Sequence, residues 1–107
     1  MIFQTGAALL ECCVLAVLDR EDTYGYVLTQ RVKGVLQISE STLYPVLRRL
    51  QKEASLSTYD RAFQGRNRRY YSITPQGREK LQQYRTEWEA YKNRIDDILL
   101  RGLCGDE

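Results

Sequence analysis

The hydrophobic positions in the first third of the chain follow helical spacing. Residues 5–19 are apolar on nearly all sides, which predicts a helix that is buried on most of its faces. In a chain of this size, such a helix is expected to bury part of its surface against a second chain. A second amphipathic helix is predicted to begin after an N-cap at Asp22 or Thr23 and to stop at Gly34.

A third predicted helix, from an N-cap at Ser39 to about Glu53, is strongly amphipathic. Its apolar residues recur at positions i, i+3, i+4 and i+7, whereas the opposite face carries hydroxyls near its start and cations near its end. The apolar face consists of Leu43, Val46, Leu47 and Leu50, and the outer face of Ser41, Pro45, Arg48, Arg49 and Lys52. The outer face has no acidic residue after Glu40, so it suits a polyanion better than it suits simple solvation.

Alternating positions predict two strands after this helix. Residues 56–62 and 68–74 alternate in side-chain character, and the second segment is rich in aromatic and β-branched residues. The five residues between them, 63–67, include Gly65 and Asn67, which favour a hairpin turn. A basic β-hairpin is therefore predicted directly after the basic helix.

The last predicted helix begins with Thr74 as N-cap and Pro75 in the first helical position, and it runs to about Arg101. Its apolar and aromatic residues are spaced alternately by three and four, which is a heptad seam. The seam consists of Leu81, Tyr84, Trp88, Tyr91, Ile95 and Ile98. This stripe can pack on its own domain or on a second copy. We favour a seam between two copies, because the first helix, with Leu9, also has surplus apolar surface.

Positive charge is concentrated in the middle of the chain. The 107 residues include 16 basic and 14 acidic ones, and residues 48–78 alone hold eight basic residues, seven of them arginine, with two acidic ones. Residues 1–47 carry three basic and five acidic residues. Arginine binds phosphate or guanine through paired hydrogen bonds, so the third helix and the hairpin are the predicted nucleic-acid surface.

The composition excludes much catalytic and metal chemistry. The chain has no histidine, which rules out histidine acid–base catalysis, Ser-His or Cys-His dyads and histidine-containing metal sites. Cys12, Cys13 and Cys104 lack the Cys-x-x-Cys spacing of a zinc site. The first two are expected to be inert core thiols, and Cys104 to be open to oxidation. We predict no enzyme activity, no cofactor and no metal.

No membrane segment or export signal is predicted. The apolar run at residues 12–18 has seven residues, against about 20 for a membrane-spanning helix. The N-terminus lacks the basic region of a signal peptide. We expect a cytoplasmic protein without a membrane partner.

The order of elements (helix, helix, basic helix, basic hairpin, long helix) is that of a winged helix-turn-helix protein, a mainly α fold with a small β-hairpin. Residues 1–74 are predicted to form the DNA-binding domain, and residues 75–107 the C-terminal dimerisation helix with a short tail. In such proteins the third helix enters the major groove, and the hairpin follows the neighbouring backbone or minor groove. The predicted partners are double-stranded DNA and a second copy of the chain.

Several motifs also resemble the PadR family of winged-helix transcriptional regulators. They are Tyr24-Gly25-Tyr26, Ser41-Thr42-Leu43-Tyr44-Pro45, Leu47-Arg48-Arg49-Leu50, Arg69-Tyr70-Tyr71-Ser72-Ile73-Thr74 and Pro75-Gln76-Gly77. The resemblance spans roughly residues 8–100 and extends to the smaller branch of the family, which dimerises through a single C-terminal helix. It implies a homodimeric repressor of an inverted-repeat operator, released by a small aromatic ligand or a stress signal.

The resemblance also bears on two sites. In some small members a tryptophan on the last helix stacks on flat aromatic drugs at the dimer centre, and Trp88 lies near that position. Trp88, Tyr84 and Tyr91 are therefore either the core of the seam or an effector site. Where the family usually has a glycine at the end of the third helix, this chain has Ala54 and Ser55. Because alanine adopts φ > 0 less readily than glycine, the helix is expected to run on or to end in a different turn, which would alter the angle of the hairpin.

The predicted DNA contacts lie on the third helix and the hairpin. They are Ser39, Ser41, Thr42, Tyr44, Arg48, Arg49 and Lys52 on the helix, and Gln64, Arg66, Asn67 and Arg68 in the hairpin. Ser41 and Thr42 are expected near base edges and the helix cations on phosphates, since most protein–DNA hydrogen bonds go to the backbone. Arg66 is the candidate for the minor groove. The resemblance places Tyr44 on DNA, although a half-buried aromatic is the alternative; Arg69 forms either a structural ion pair or a DNA contact.

The alternative function is a winged-helix protein–protein adaptor that does not bind DNA. Such a protein would have a neutral or acidic third helix and hairpin, which is the opposite of the charge found here.

Overall fold

The computed structural model describes residues 6–102, which form four helices and one three-stranded antiparallel sheet. The helices are α1 (Gly6–Arg20), α2 (Gly25–Leu36), α3 (Glu40–Lys52) and α4 (Pro75–Leu99). The strands are β1 (Thr23–Tyr24), β2 (Leu56–Phe63) and β3 (Arg66–Ile73), in the order β1-β3-β2. The prediction of a mainly α, winged helix-turn-helix fold with a long C-terminal helix is confirmed.

The hydrophobic core lies where α1, α2 and α3 meet the first half of α4. Leu15, Leu28, Leu47 and Leu81 represent the four helices in it, and each is buried. The predicted apolar face of α3 is buried along its whole length. Burial of a leucine side chain is worth about 2 kcal/mol, so this face holds α3 firmly on the domain and turns its polar face outward.

The boundaries of α2 differ from those predicted. Gly34 does not end the helix, which continues to Leu36 and stops where Gln37 adopts a left-handed conformation with φ of 54°. Neither Asp22 nor Thr23 caps the helix, because Thr23 belongs instead to the short strand β1 and pairs with β3. A strand of two residues has no periodicity, so the sequence pattern could not indicate it.

Helix α3 ends at the predicted place, although no glycine is present. Ala54 takes the left-handed conformation, with φ of 65°. The N–H of Ser55 donates to the carbonyl of Leu50 at 2.9 Å, and the N–H of Ala54 to that of Gln51 at 3.1 Å. This pair of bonds is a Schellman motif. The expectation that the helix runs on or ends in a different turn is therefore wrong: alanine occupies the position that glycine would take.

The hairpin turn is shorter than predicted. Phe63 pairs with Arg66, so the loop contains two residues rather than five. Gln64 and Gly65 both have positive φ, at 53° and 77°, which is the pattern of a type I′ turn. The strands therefore extend to the tip, and the predicted alternation of β2 and β3 places Leu56 on the buried face.

Helix α4 begins as predicted, since the side chain of Thr74 accepts a hydrogen bond from the N–H of Gly77 at 2.9 Å and Pro75 occupies the first turn. The 25-residue helix is about 37 Å long, and the part that follows Tyr91 extends beyond the core. The chain accordingly measures 64 × 26 × 21 Å with a radius of gyration of 16.3 Å, against about 13 Å for a compact chain of this length.

Candidate nucleic-acid interface

Three hydroxyls gather at the N-terminus of α3. Ser39 is the N-cap, as predicted, and its Oγ accepts a hydrogen bond from the N–H of Thr42 at 3.3 Å. The hydroxyls of Ser41 and Thr42 lie 2.9 and 3.1 Å from the same Oγ. All three side chains are exposed. The start of α3 thus presents small donors and acceptors to any ligand on its outer side.

The remaining outer face of α3 carries an exposed aromatic residue and a cationic groove. Tyr44 is 40% exposed, so its ring is accessible from outside. Arg48, Lys52 and Gln51 line a shallow, open groove together with Arg49. Arg48 and Lys52 form no ion pair within residues 6–102. Their charges are available to an anion.

Arg49 is held differently from its neighbours on the helix. Its Nε and Nη2 both donate to the Oε2 of Glu11 on α1, at 2.9 and 2.6 Å. Glu11 as a whole is only 6% exposed. The predicted phosphate contact of Arg49 meets a competing contact here, because its guanidinium bridges α3 to Glu11 on α1.

Glu11 is the centre of a polar cluster that joins α1, α3 and α4. Besides contacting Arg49, its carboxylate accepts a hydrogen bond from the hydroxyl of Tyr84 and forms an ion pair with Lys80 at 3.3 Å. Lys80 also contacts Glu53 at 2.7 Å. Sequence reasoning missed this cluster; its one signal is an acidic residue at position 11 inside an otherwise apolar helix.

The cluster shifts the ionisation of its members. Burial raises the pKa of Glu11, but hydrogen bonds from Tyr84 and Arg49 and the charge of Lys80 outweigh this effect and hold the pKa below its usual 4.5. Burial and the hydrogen bond to Glu11 raise the pKa of Tyr84 above its ordinary range. Glu11 is therefore a buried carboxylate that stays ionised, and Tyr84 stays a donor.

The tip of the hairpin is exposed, but its predicted contacts divide into two groups. Gln64, Arg66 and Asn67 are exposed at the tip. Arg68 is not, since its guanidinium lies over the ring of Tyr24 at 4.5 Å and its Nε is buried without a hydrogen-bond partner. Stacking on an aromatic ring accounts for the position of Arg68, which therefore differs from the free cation that was predicted.

One face of the sheet is covered with aromatic rings that the sequence analysis did not single out. The rings of Tyr59 and Tyr70 stack at 5.5 Å, and Tyr24 meets Tyr70 edge-on at 5.5 Å. The hydroxyl of Tyr59 donates to Asp22 at 2.7 Å. These contacts fasten β1 and β2 to β3. On the other face, Arg69 forms an ion pair of 3.7 Å with Asp60, which is the structural alternative considered for it.

The heptad stripe of α4 splits between the core and the surface. Leu81 and Tyr84 are 1% and 5% exposed, so they belong to the core of their own chain. This burial in their own chain does not fit their prediction as dimer contacts, or that of Tyr84 as an effector platform.

The rest of the stripe remains accessible. Trp88 and Ile98 are exposed, whereas Tyr91 and Ile95 are half-buried. The rings of Trp88 and Tyr91 lie 6.3 Å apart at 42°. The apolar surface continues into Leu99 and Leu100, which the heptad spacing did not include. Leu9 on α1 is half-buried against the core.

Neither thiol of α1 is arranged for reactivity. Cys12 and Cys13 are half-buried rather than fully enclosed, and burial raises the pKa of both thiols. Cys104 lies outside the described residues. Within residues 6–102 no three His, Cys, Asp or Glu residues come together as metal ligands. The same residues contain no helix that is long and apolar enough to cross a membrane.

Comparison with known proteins gives one consistent family. The sequence profile of the transcriptional regulator PadR-like family matches residues 14–83. A transcriptional regulator of Mycobacterium tuberculosis is 38% identical over 94 residues, which cover 87% of this chain and 86% of that protein.

Solved structures agree with this comparison. A protein of Streptococcus mutans superposes with a TM-score of 0.87 at 40% identity, covering 99% of this chain and 100% of its own. The crystal structure of a PadR-like transcriptional regulator from Bacillus cereus gives a TM-score of 0.79 at 33% identity, covering 86% of this chain and 92% of its own.

Proposed function

The chain belongs to the PadR-like family of transcriptional regulators, and we propose that it is a homodimeric repressor that binds an inverted-repeat operator. Members of this family are DNA-binding regulators and not enzymes. The observation that carries the proposal is the outer face of α3, where Arg48 and Lys52 form no ion pair within residues 6–102 and follow the exposed hydroxyls of Ser41 and Thr42. Since its partner is the operator, we place the protein in the cytoplasm.

In this proposal, α3 lies in the major groove with its N-terminus towards the bases. Ser41 and Thr42 approach base edges, and Arg48 and Lys52 bind phosphates on either side. The hairpin tip follows the next groove, with Arg66 as the residue that enters it. In a two-fold dimer the two copies of α3 would lie about 34 Å apart, which is one turn of DNA.

The exposed apolar surface on the second half of α4 is the observation that supports a dimer. Ile98 is 52% exposed, and Leu99 and Leu100 extend the same apolar surface. An isolated segment of 12–15 residues is a marginal helix in water, so a protruding helical end with an apolar stripe gains stability from a partner. Leu9, which lines an apolar cavity of about 410 Å³ with Leu36 and other residues, supplies further surface for the second copy.

Release by a ligand is the finer part of the proposal. Trp88 and Tyr91 present two tilted rings on α4, and a flat aromatic molecule could insert between two such pairs at the dimer centre. Its binding would favour one angle between the subunits, so that the spacing of the two α3 helices no longer fits DNA. Trp88 is the sole tryptophan, and its fluorescence reports such binding directly.

The test combines mass and DNA binding. Analytical ultracentrifugation is expected to give twice the 12.5 kDa mass of the chain. Fluorescence anisotropy with the DNA upstream of its own gene is expected to show binding at 50 mM salt that weakens steeply as salt increases. A monomer without DNA binding would favour the protein–protein adaptor instead. If planar cationic and phenolic compounds leave the fluorescence of Trp88 unchanged, the apolar stripe of α4 has a structural role and does not bind an effector.

A further inference from the structure

The two neighbouring arginines of α3 have opposite environments, although the sequence gives them the same outer face. Arg48 forms no ion pair within residues 6–102, whereas Arg49 donates from Nε and Nη2 to one oxygen of Glu11 at 2.9 and 2.6 Å. The Arg49 side chain is 43% exposed and that of Glu11 only 8%. The guanidinium thus lies at the surface, within reach of a polyanion, while its charge is balanced from beneath.

We propose that Glu11 is a positioning residue that withholds Arg49 from DNA, so that Arg48 and Lys52 are the phosphate-binding cations of this end of α3. The inference rests on the proposed DNA binding and specifies which charges take part in it. Glu11 is itself buried, so any effect that it has on DNA contacts at this end of α3 would act through Arg49.

The surrounding contacts explain why Arg49 stays in place when DNA arrives. A buried carboxylate requires charged or hydrogen-bonding partners, and Glu11 has them from α3 and α4: Arg49 on one oxygen, Tyr84 and Lys80 on the other. If Arg49 turned outward, Oε2 would lose both of its hydrogen bonds. A DNA phosphate would have to displace the two hydrogen bonds that Arg49 donates to Glu11. Because Glu11 already balances the charge of Arg49, the exchange would only replace one anionic partner with another.

The salt dependence of DNA binding separates the two arginines. Each neutralised phosphate contributes about 0.9 to the slope of log K against log salt concentration. Arg48→Ala and Lys52→Ala are each expected to reduce the slope by about 0.9 per subunit, whereas Arg49→Ala leaves it unchanged. Glu11→Gln, which keeps the shape but removes the charge, is expected to steepen the slope by up to about 0.9 per subunit, because Arg49 is released. The double variant Glu11→Gln with Arg49→Ala is expected to return to the wild-type slope.

A second measurement does not depend on the Glu11 variant folding. The Nε–H resonance of Arg49, assigned by its loss in Arg49→Ala, is expected to keep its chemical shift when operator DNA is added. The resonance of Arg48 is expected to move. Circular dichroism checks that each variant used remains folded.

The outcomes are distinguishable. If Arg49→Ala flattens the slope as much as Arg48→Ala, or the Arg49 resonance shifts with DNA, this inference is wrong while DNA binding stands. If the wild-type protein does not bind DNA, or neither Arg48→Ala nor Lys52→Ala changes the slope, the proposed interface itself fails.

Discussion

The hydroxyl of Thr74 donates a hydrogen bond of 2.7 Å to the carbonyl oxygen of Ala54. It joins the cap of α4 to the left-handed residue that ends α3. The amide of Gln76 adds a bond of 3.0 Å to the carbonyl of Glu53, and the N–H of Thr74 one of 3.1 Å to that of Ser55. The end of α3 and the start of α4 are therefore one junction.

This junction contains a position where the sequence is not optimal. Ala54 has φ of 65°, which costs an L-residue roughly 1–2 kcal/mol, partly offset by the greater freedom of glycine in the unfolded chain. Ala54→Gly is expected to increase the free energy of unfolding by about 0.5–1 kcal/mol, as measured by urea denaturation. DNA affinity should stay the same, because the backbone already has the conformation that glycine favours. A less stable variant would contradict the Schellman geometry.

The same junction requires a glycine at position 77, in the first turn of α4. A Cβ at Gly77 would lie 2.2 Å from the carbonyl oxygen of Ser55 and 2.8 Å from Cγ1 of Ile73. Gly77→Ala is expected to destabilise the fold by about 3 kcal/mol, because backbone must move to relieve the overlap. Gly34→Ala is the matched control, since its Cβ meets nothing within 4 Å and alanine favours a helix; a gain of about 0.5–1 kcal/mol is expected. Thermal denaturation of both variants tests the contrast, which disappears if α4 packs less closely on the junction.

Acid is expected to weaken the polar cluster around Glu11. Its pKa in the folded chain is held below the usual 4.5 despite burial, by Tyr84, Arg49 and Lys80. The unfolded chain therefore takes up a proton first as pH falls, and the stabilisation present above about pH 4.5 is lost as pH falls through the lower folded value. Glu11→Gln lacks this contribution. Its deficit in the free energy of unfolding should be large at pH 6 and should shrink towards pH 3; a constant deficit would mean that Glu11 contributes through packing alone.

Arg66 at the hairpin tip is expected to add both affinity and sequence preference. Arg66→Ala should weaken operator binding about fivefold, which corresponds to about 1 kcal/mol. The loss should be greater when the flanking DNA is A·T-rich, because a narrow minor groove attracts arginine. Arg20→Ala removes the same charge from the exposed end of α1 and serves as control. Equal losses for both variants, measured by fluorescence anisotropy, would point to a general charge effect.

The exposed end of α4 gives a test of the proposed dimer. Ile98→Asp places a charge on the apolar stripe and is expected to weaken dimerisation at least tenfold without lowering the helical content. Asn93→Asp adds the same charge on another exposed face of α4 and should leave the dimer intact. Sedimentation equilibrium at several concentrations measures both. If the two variants associate equally strongly, the dimer interface does not include Ile98 and lies elsewhere on the chain.

Local signals predicted much of the fold. The cap at Ser39, the Thr74-Pro75 helix start and the apolar face of α3 each depend on a few consecutive residues, and the structure has them as predicted. The alternation of β2 and β3 was also correct. The end of α2 was not, because Gly34 tolerates a helical conformation and Gln37 supplies the left-handed cap instead.

What the sequence could not indicate depends on contacts between distant segments. Glu11 and Arg49 are 38 positions apart, and neither residue alone predicts the other as its partner. The heptad spacing of α4 fits packing on its own domain as well as packing on a second copy, so it could not separate Leu81 and Tyr84 from Ile98. From the sequence alone, Arg68 cannot be distinguished from a free cation, because only the fold places its guanidinium over the ring of Tyr24.

The stacking of Arg68 on Tyr24 also determines how a subunit can adapt. Tyr24 immediately precedes α2, and the guanidinium that covers it belongs to the hairpin, so the hairpin and the start of α2 are clamped together. In the proposed dimer, adaptation to variations in DNA shape would therefore come from rotation of the two subunits about their shared contact, with each subunit moving as a rigid body.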